Sequence, residues 1–314
     1  MSASGAAADA SRVHRVLVGP TGSGKKGVAV RLAEKHGWPV LAMDSMKVYR
    51  GMDIGTDKPA AEQRARVPYR LLDLVGHDER FDAGRWLEAA LQAVQASEGE
   101  VLFAGGTPLY LRLLVRGLFR GPGADAAVRA ELDAMWEEQG EAGVRIRLAE
   151  VDPDLEARLL PGDRKRLLRG LEVHTLTGQP LSRLQAEQTQ PPLPGRFELV
   201  ALRHPPEVQR LRIEQRVEHM LERGLLDEVA RLEAAAPFAP EPARSIGYAE
   251  ALEHLAGRLD REAMVTAIVR RTSRLVRKQG TFLRSFKELT WIDVEPDESP
   301  EALTERVARA LRAP

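Results

Sequence analysis

"VLVGPTGSGKKGVAV", residues 16–30, decides the fold: an apolar run, a glycine loop ending in lysine, and the opening of an amphipathic helix. From Gly19 to Lys26 the spacing is that of a phosphate-binding loop, G-x-x-x-x-G-K-[ST]. Such a loop works because glycines let backbone N–H groups turn inward, the helix N-terminus favours negative charge, and the lysine reaches the phosphates. Gly19, Gly22, Gly24 and Lys25 all stand in place, between a strand predicted over 13–18 and a helix that stops at Gly37. The final position departs from the pattern. A Ser or Thr hydroxyl there normally ligates magnesium, whereas the ammonium of Lys26 has three donors and no lone pair. Two readings of Lys26 stay open: a second cation on the phosphate, or a side chain turned to solvent.

Outward from this loop the pattern alternates. A strand over 39–43 ends in Asp44, an apolar run covers 69–75, a helix spans about 82–97, and a strand over 101–104 ends in "GGT" before another helix. Strands alternating with helices predict an α/β fold, a P-loop NTPase-like parallel sheet flanked by helices, with ligands held past the carboxyl ends of the strands. The loops at 19–26, 44–50 and 105–107 should then meet at one site. Residues 121–195 are helical in pattern and rich in Arg, Glu and Leu, and read as an inserted all-helical subdomain. The core is thus expected over 13–120 and 196–314, with 1–12 a disordered tail. A nucleoside-triphosphate hydrolase would need a second metal-binding carboxylate, yet the strand at 101–104 ends in glycines. Asp44 remains, as metal ligand or as base.

Composition narrows the classes. The 314 residues are 43% apolar, enough for a sizeable core, and no stretch has the length of apolar sequence that a membrane span requires. With no cysteine there is neither a disulfide nor a thiolate metal site, and the setting expected is cytoplasmic. Lys plus Arg equals Asp plus Glu at 46 each, so any affinity for nucleic acid has to come from local basic faces. Two such stretches exist, "DRKRLLRGLEV" from 163 and "VRRTSRLVRKQGTFLRSFK" from 269.

The stretch "DSMKVYRGMDIGTDKP" (44–59), taken with "GPTGSGK", "FAGGTPLYLRLLVRGL", "DRKRLLRGLEV", "RIEQRVEHML" and "SIGYAEALEHLAG", resembles the tRNA dimethylallyltransferase family, also called tRNA isopentenyltransferases or IPP transferases. The motifs occur in order from about residue 14 to 293. The resemblance implies an enzyme that transfers a dimethylallyl group from dimethylallyl diphosphate to N6 of adenosine 37, in tRNAs reading codons that start with U. It implies catalytic roles for Asp44, Thr107 and Arg216, with Asp44 as general base. Diphosphate binding would fall to Gly19, Pro20, Thr21, Gly22, Ser23, Gly24, Lys25 and Lys26. Contacts to the tRNA anticodon stem-loop would come from Asp44, Ser45, Met46, Lys47 and Thr107, from Arg129, Lys165, Arg166, Leu167, Leu168 and Arg169 of the insertion, and from Arg274, Arg277 and Lys278. The cofactor implied is Mg2+, with its usual ligand replaced by Lys26, and a monomer is expected. Lys47 stands where the family has glutamine, and Phe282 where it commonly has tryptophan. A P-loop kinase for a small metabolite and a catalytically weakened RNA-binding homologue are the competing readings.

Overall fold

Strand β1 (Val13–Val18) is buried from His14 onward, as a strand covered on both faces must be. In the computed structural model, which describes residues 12–119, 121–187 and 191–314, β1 passes through the glycine loop into helix α1 (Lys25–His36). There follow β2 (Val40–Met43), α2 (Ala61–Arg66), β3 (Tyr69–Arg70), α3 (Ala83–Gln95), β4 (Leu102–Gly105) and α4 (Pro108–Arg116). A run of helices comes next: α5 (Ala126–Val151), α6 (Pro153–Glu156), α7 (Arg164–Thr177) and α8 (Leu181–Glu187). The chain then forms β5 (Arg196–Arg203), α9 (Pro206–Glu222), α10 (Leu225–Ala235), α11 (Pro240–Ala243), α12 (Tyr248–Leu255), α13 (Arg261–Leu283), β6 (Thr290–Asp293) and α14 (Pro300–Ala310).

Among the described residues six strands form one sheet in the order β3-β2-β4-β1-β5-β6, and each of their pairings is parallel. One face of the sheet packs under Trp86, Tyr110, Leu111 and Leu114 from α3 and α4 and under Val217, Ile268 and Leu283 from α9 and α13. The other face is covered by Val28 and Leu32 of α1, Trp38, and Leu303 and Val307 of α14. Fully buried Trp86 stacks on Tyr110 at 4.1 Å between ring centroids and donates its indole N–H to Ala42 O of β2, so its one polar group is satisfied inside the core. In the apolar run at 69–75, Tyr69 and Arg70 pair with β2, and Val75 makes an isolated parallel bridge to Tyr49. Beyond Arg70, Leu71 (φ 65°) and Asp73 (φ 56°) take the left-handed conformation and turn the chain off the edge.

The chain divides into two compact units, one running to Val115 and resuming over Leu193–Pro314, the other Arg116–Pro192. The second has a core of its own, built from Leu132, Val144, Leu148, Leu167 and Leu171, and its helix α5 kinks at Gly140 (φ 64°, ψ −171°). At the N-terminus the expectation of a tail through residue 12 needs correction. Arg12 Nη2 donates to Gly99 O at 2.8 Å, while residues 1–11 of that reading lie outside the described residues.

Candidate active site

Register brings the three loops together. Val18 of β1 pairs with Gly105 of β4, and Gly105 pairs with Met43 of β2, so three neighbouring strands end level and release Gly19, Gly106 and Asp44 at one edge. The proximity is tight: a β-carbon on Gly106 would stand 3.3 Å from Gly19 O and 3.4 Å from Lys25 Nζ.

Gly22 (φ 83°) and Gly24 (φ 82°) take left-handed conformations that a side chain would disfavour, and Gly24 caps α1. Three residues missed in the sequence clamp this loop. Gln279 of α13 accepts from Thr21 N at 2.9 Å and donates to Gly106 O at 2.6 Å, tying the glycine loop to the one after β4. Gln209 of α9 donates to Thr21 O at 2.7 Å, and Arg212 to Gly22 O at 2.7 Å. Lys25 donates to Pro20 O within the loop at 3.1 Å. Burial, with the charge of Lys47 added, brings Lys25 down to about 7 despite the opposing pull of Asp44. Burial also lowers Lys47.

Asp44 is oriented by its own turn. Its Oδ1 accepts from Met46 N at 2.9 Å and Lys47 N at 3.3 Å, while Oδ2 takes no protein hydrogen bond among the described residues. Thr107 Oγ1 accepts from Ser45 N at 3.1 Å and Thr107 N donates to Met43 O at 3.2 Å, locking the ends of β2 and β4 beside it. Two cavities meet here. One of about 520 Å³ lies over the glycine loop and is lined by Lys25, Lys26, Asp44, Lys47, Asp57 and Arg216, with an apolar wall that includes Val40, Ile54 and Leu72. The other, of about 360 Å³, is lined by Ser45, Met46, Thr107, Ile268, Thr272 and Leu275. Thr21, Asp44, Thr56, Arg216 and Met220 belong to both linings. Each catalytic candidate therefore borders the second cavity, and Asp44 and Arg216 border both.

The motif "MDIGTDKP" (52–59) is held by long-range contacts. Buried Glu228 of α10 accepts from Asp53 N (2.9 Å), Ile54 N (2.8 Å), Gly55 N (3.3 Å) and Tyr248 Oη (2.6 Å). Gly55 is required because a β-carbon there would meet the Tyr248 ring at 2.3 Å. Burial first, and then the Glu228 carboxylate, push the Tyr248 phenol up, so it stays a donor. Lys58, with its side chain 1% exposed, is held by Asp53 at 2.8 Å and Asp73 at 2.6 Å. Asp57 sits at φ 53° and joins two elements: its Oδ1 accepts from Lys26 Nζ at 2.5 Å and its Oδ2 from Arg216 at 2.9 Å. Burial opposes its charge, but Arg216, Lys26 and Lys47 outweigh it and hold the carboxyl below the usual range. Lys26 is thus paired, with its side chain 35% exposed.

Magnesium needs oxygen ligands in near-octahedral array. The residues here do not suit it. Position 26 offers an ammonium, both Asp57 oxygens are committed to cations, and Asp44 Oδ2 is the one carboxylate oxygen of the lining left open among the described residues, so the side chains offer a divalent ion a single anionic ligand. Among the described residues no group of three His, Asp or Glu side chains could hold a metal.

The basic stretches divide by partner. On α13, Arg270, Arg274, Arg277 and Lys278 are exposed without an ion pair among the described residues, whereas Arg271 is held by buried Glu250. In the helical unit, Lys165 and Arg166 are exposed, the latter paired with Asp163. Arg129 and Arg169 both bind buried Glu172, which fixes α7 to the start of α5. Leu168 is half-buried, and Leu167 lies fully inside the helical core, so the latter's side chain packs and does not face a ligand.

A family model described as "IPP transferase" matches residues 47–286. Among curated relatives, a tRNA dimethylallyltransferase of Thioalkalivibrio sulfidiphilus is 41% identical over 95% of this chain and 94% of its own, and one of Geobacter metallireducens is 39% identical over 88% and 91%. Of solved structures, a eukaryotic dimethylallyltransferase described as acting on tRNA superimposes with a TM-score of 0.79 at 25% identity, covering 95% of this chain and 78% of that one. The tRNA isopentenylpyrophosphate transferase of Bacillus halodurans gives a TM-score of 0.66 at 30% identity, over 96% and 97%. Among the described residues no helix is long and apolar enough to cross a membrane.

Proposed function

Given that the chain belongs to the IPP transferase family, we propose that it transfers a dimethylallyl group from dimethylallyl diphosphate to N6 of adenosine 37 in tRNA. The observation that carries this is the meeting of a phosphate loop, a cation-lined cavity with an apolar wall, and Asp44 at the junction with a second cavity. The first cavity suits a short diphosphate ester with a five-carbon tail. The second suits a nucleobase that has left its stack, since a base within the helix could not bring its amine to the donor.

The chemistry follows from those positions. The lone pair on N6 attacks C1 of the prenyl group, the C1–O bond breaks, and its electron pair leaves on the diphosphate. Negative charge grows on that leaving oxygen, where Lys25, Arg216 and the inward N–H groups of the loop stabilise it. The proton lost by N6 goes to Asp44 Oδ2, the oxygen its own turn leaves open. Thr107 fixes Ser45, and through it the position of Asp44 against the strand ends. Recognition of the anticodon stem-loop draws on the unpaired cations of α13 and, within the helical unit, on Lys165 and Arg166. Lys26 stands where a kinase needs its metal-binding hydroxyl, which leaves phosphoryl transfer without support. The protein is read as a cytoplasmic monomer.

Incubation of the full chain with dimethylallyl diphosphate and an anticodon stem-loop bearing A36-A37-A38 is the test. Mass spectrometry is expected to find one added C5H8 unit on adenosine. Unmodified RNA from folded protein under every metal condition overturns the reading.

A further inference from the structure

We propose that Lys26, braced by Asp57, is a built-in cation that does the work of a divalent metal, so that this chain grips a diphosphate without one. The inference rests on the prenyl-transfer reading for the identity of the ligand, but not for the site itself.

Three observations converge on it. Lys26 occupies the one position of the phosphate loop from which a hydroxyl would hold a metal against the phosphates. Its ammonium is directed: Asp57 Oδ1 accepts from it at 2.5 Å, and the other oxygen of the same carboxylate accepts from Arg216 at 2.9 Å. The two cations are therefore set side by side by a carboxylate whose backbone is itself kept at φ 53°. Only one of the three N–H bonds of Lys26 is used on Asp57, and two remain for phosphate oxygens in the cavity that Lys26 lines.

The charges agree. Lys25, Lys26, Lys47, Arg212, Arg216 and Arg223 line the cavity against only Asp44 and Asp57. A diphosphate monoester carries about three negative charges at neutral pH, with the last proton lost near pH 6. The side chains supply that much positive charge by themselves. With a hydroxyl at position 26 the lining would hold one cation fewer, and Asp57 Oδ1 would lose the cation that now covers it, leaving Arg216 on the other oxygen alone. Asp57 thus serves both cations: it gives Lys26 its direction, and Lys26 covers the oxygen that would otherwise face phosphate.

The experiment measures binding of inorganic pyrophosphate to the full-length protein by calorimetry, in EDTA and in magnesium, beside single-turnover prenyl transfer. For the unaltered chain the affinity in EDTA is expected within about threefold of that in magnesium. Lys26→Ala should lose at least about tenfold in EDTA, Lys26→Arg should restore most of it, and Lys26→Thr should bind well only with magnesium. Asp57→Ala should weaken binding in both conditions. Thermal unfolding identifies any variant that fails to fold, and Lys26→Arg serves as the folded control. Pyrophosphate binding by the unaltered chain that is more than about tenfold stronger with magnesium overturns the proposal, as does unimpaired binding by folded Lys26→Ala in EDTA. Failure of prenyl transfer with metal-independent pyrophosphate binding intact would refute the function and leave this site standing.

Discussion

Glu228 gives the sharpest stability prediction. Its carboxylate is 5% exposed and receives four donors, three backbone N–H groups of the 53–55 loop and the Tyr248 hydroxyl. In Glu228→Gln one oxygen becomes an amide. If Oε1 is the one replaced, Oε2 still serves Asp53 N and Ile54 N, the Tyr248 hydroxyl can turn to accept, and only the weak 3.3 Å bond from Gly55 N is lost. The expected cost is one unpaired donor plus the loss of charge assistance, about 1 to 3 kcal/mol. In Glu228→Leu all four donors lose their acceptor at similar side-chain volume. At about 1 to 3 kcal/mol for each buried unsatisfied group, and less than additively, the cost should exceed about 4 kcal/mol. Urea unfolding followed by tryptophan fluorescence, three of whose four emitters (Trp38, Trp86 and Trp291) lie in the α/β unit, measures both variants. A leucine variant no less stable than the glutamine variant would refute this, because the loop would then be held by packing on Tyr248 and not by the carboxylate.

Three further outcomes follow from the site. Asp44→Asn should cut the single-turnover prenylation rate at least about tenfold with tRNA affinity nearly unchanged; an unaltered rate removes Asp44 as base. Lys25 is at about 7 in the free protein against an ordinary 10.5, so between those values the folded chain holds fewer protons than the unfolded one, and the stability this group costs below pH 7 is regained as pH rises. An anion in the cavity recharges it, so pyrophosphate binding at pH 8 should take up a proton and binding at pH 6 should not; buffer-independent calorimetric enthalpies at pH 8 would contradict this. Replacing Arg274, Arg277 and Lys278 together by Ala should weaken tRNA binding and lower the slope of log affinity against log salt by about one for each phosphate no longer neutralised, whereas an unchanged slope would take the RNA off this face of α13.

The features legible in the sequence are those whose meaning is local. A glycine loop between an apolar run and a helix, and strands that end in Asp44 and in Gly105-Gly106-Thr107, announce a parallel sheet with its ligands at one edge, and the register of β1, β4 and β2 puts them there. What stayed hidden depends on partners far along the chain. Asp57 is one acid in "GTDKP" until it meets Lys26 and Arg216, and Gln279 reads as a helix residue until its side chain joins Thr21 to Gly106. Arg129 and Arg169 look like free cations, because Glu172 pairs with both only once α7 has packed against the start of α5. Leu167 was within reach: with Leu171 four residues on, it marks the apolar stripe of α7, a period that the basic residues around it obscure.

The central position of β1 has a consequence for synthesis. Its two neighbours are β4, which ends at Gly105, and β5, which begins at Arg196, so the strand carrying the phosphate loop keeps one open edge until most of the protein has been made. Meanwhile the stretch Arg116–Pro192 emerges with its apolar contacts local to itself. Local contacts close fast and distant parallel pairings close slowly. On the ribosome the helical unit therefore matures first, while the half-built sheet waits with an unpaired parallel edge. That nascent interval, not the finished fold, is where this chain is most exposed to misassembly.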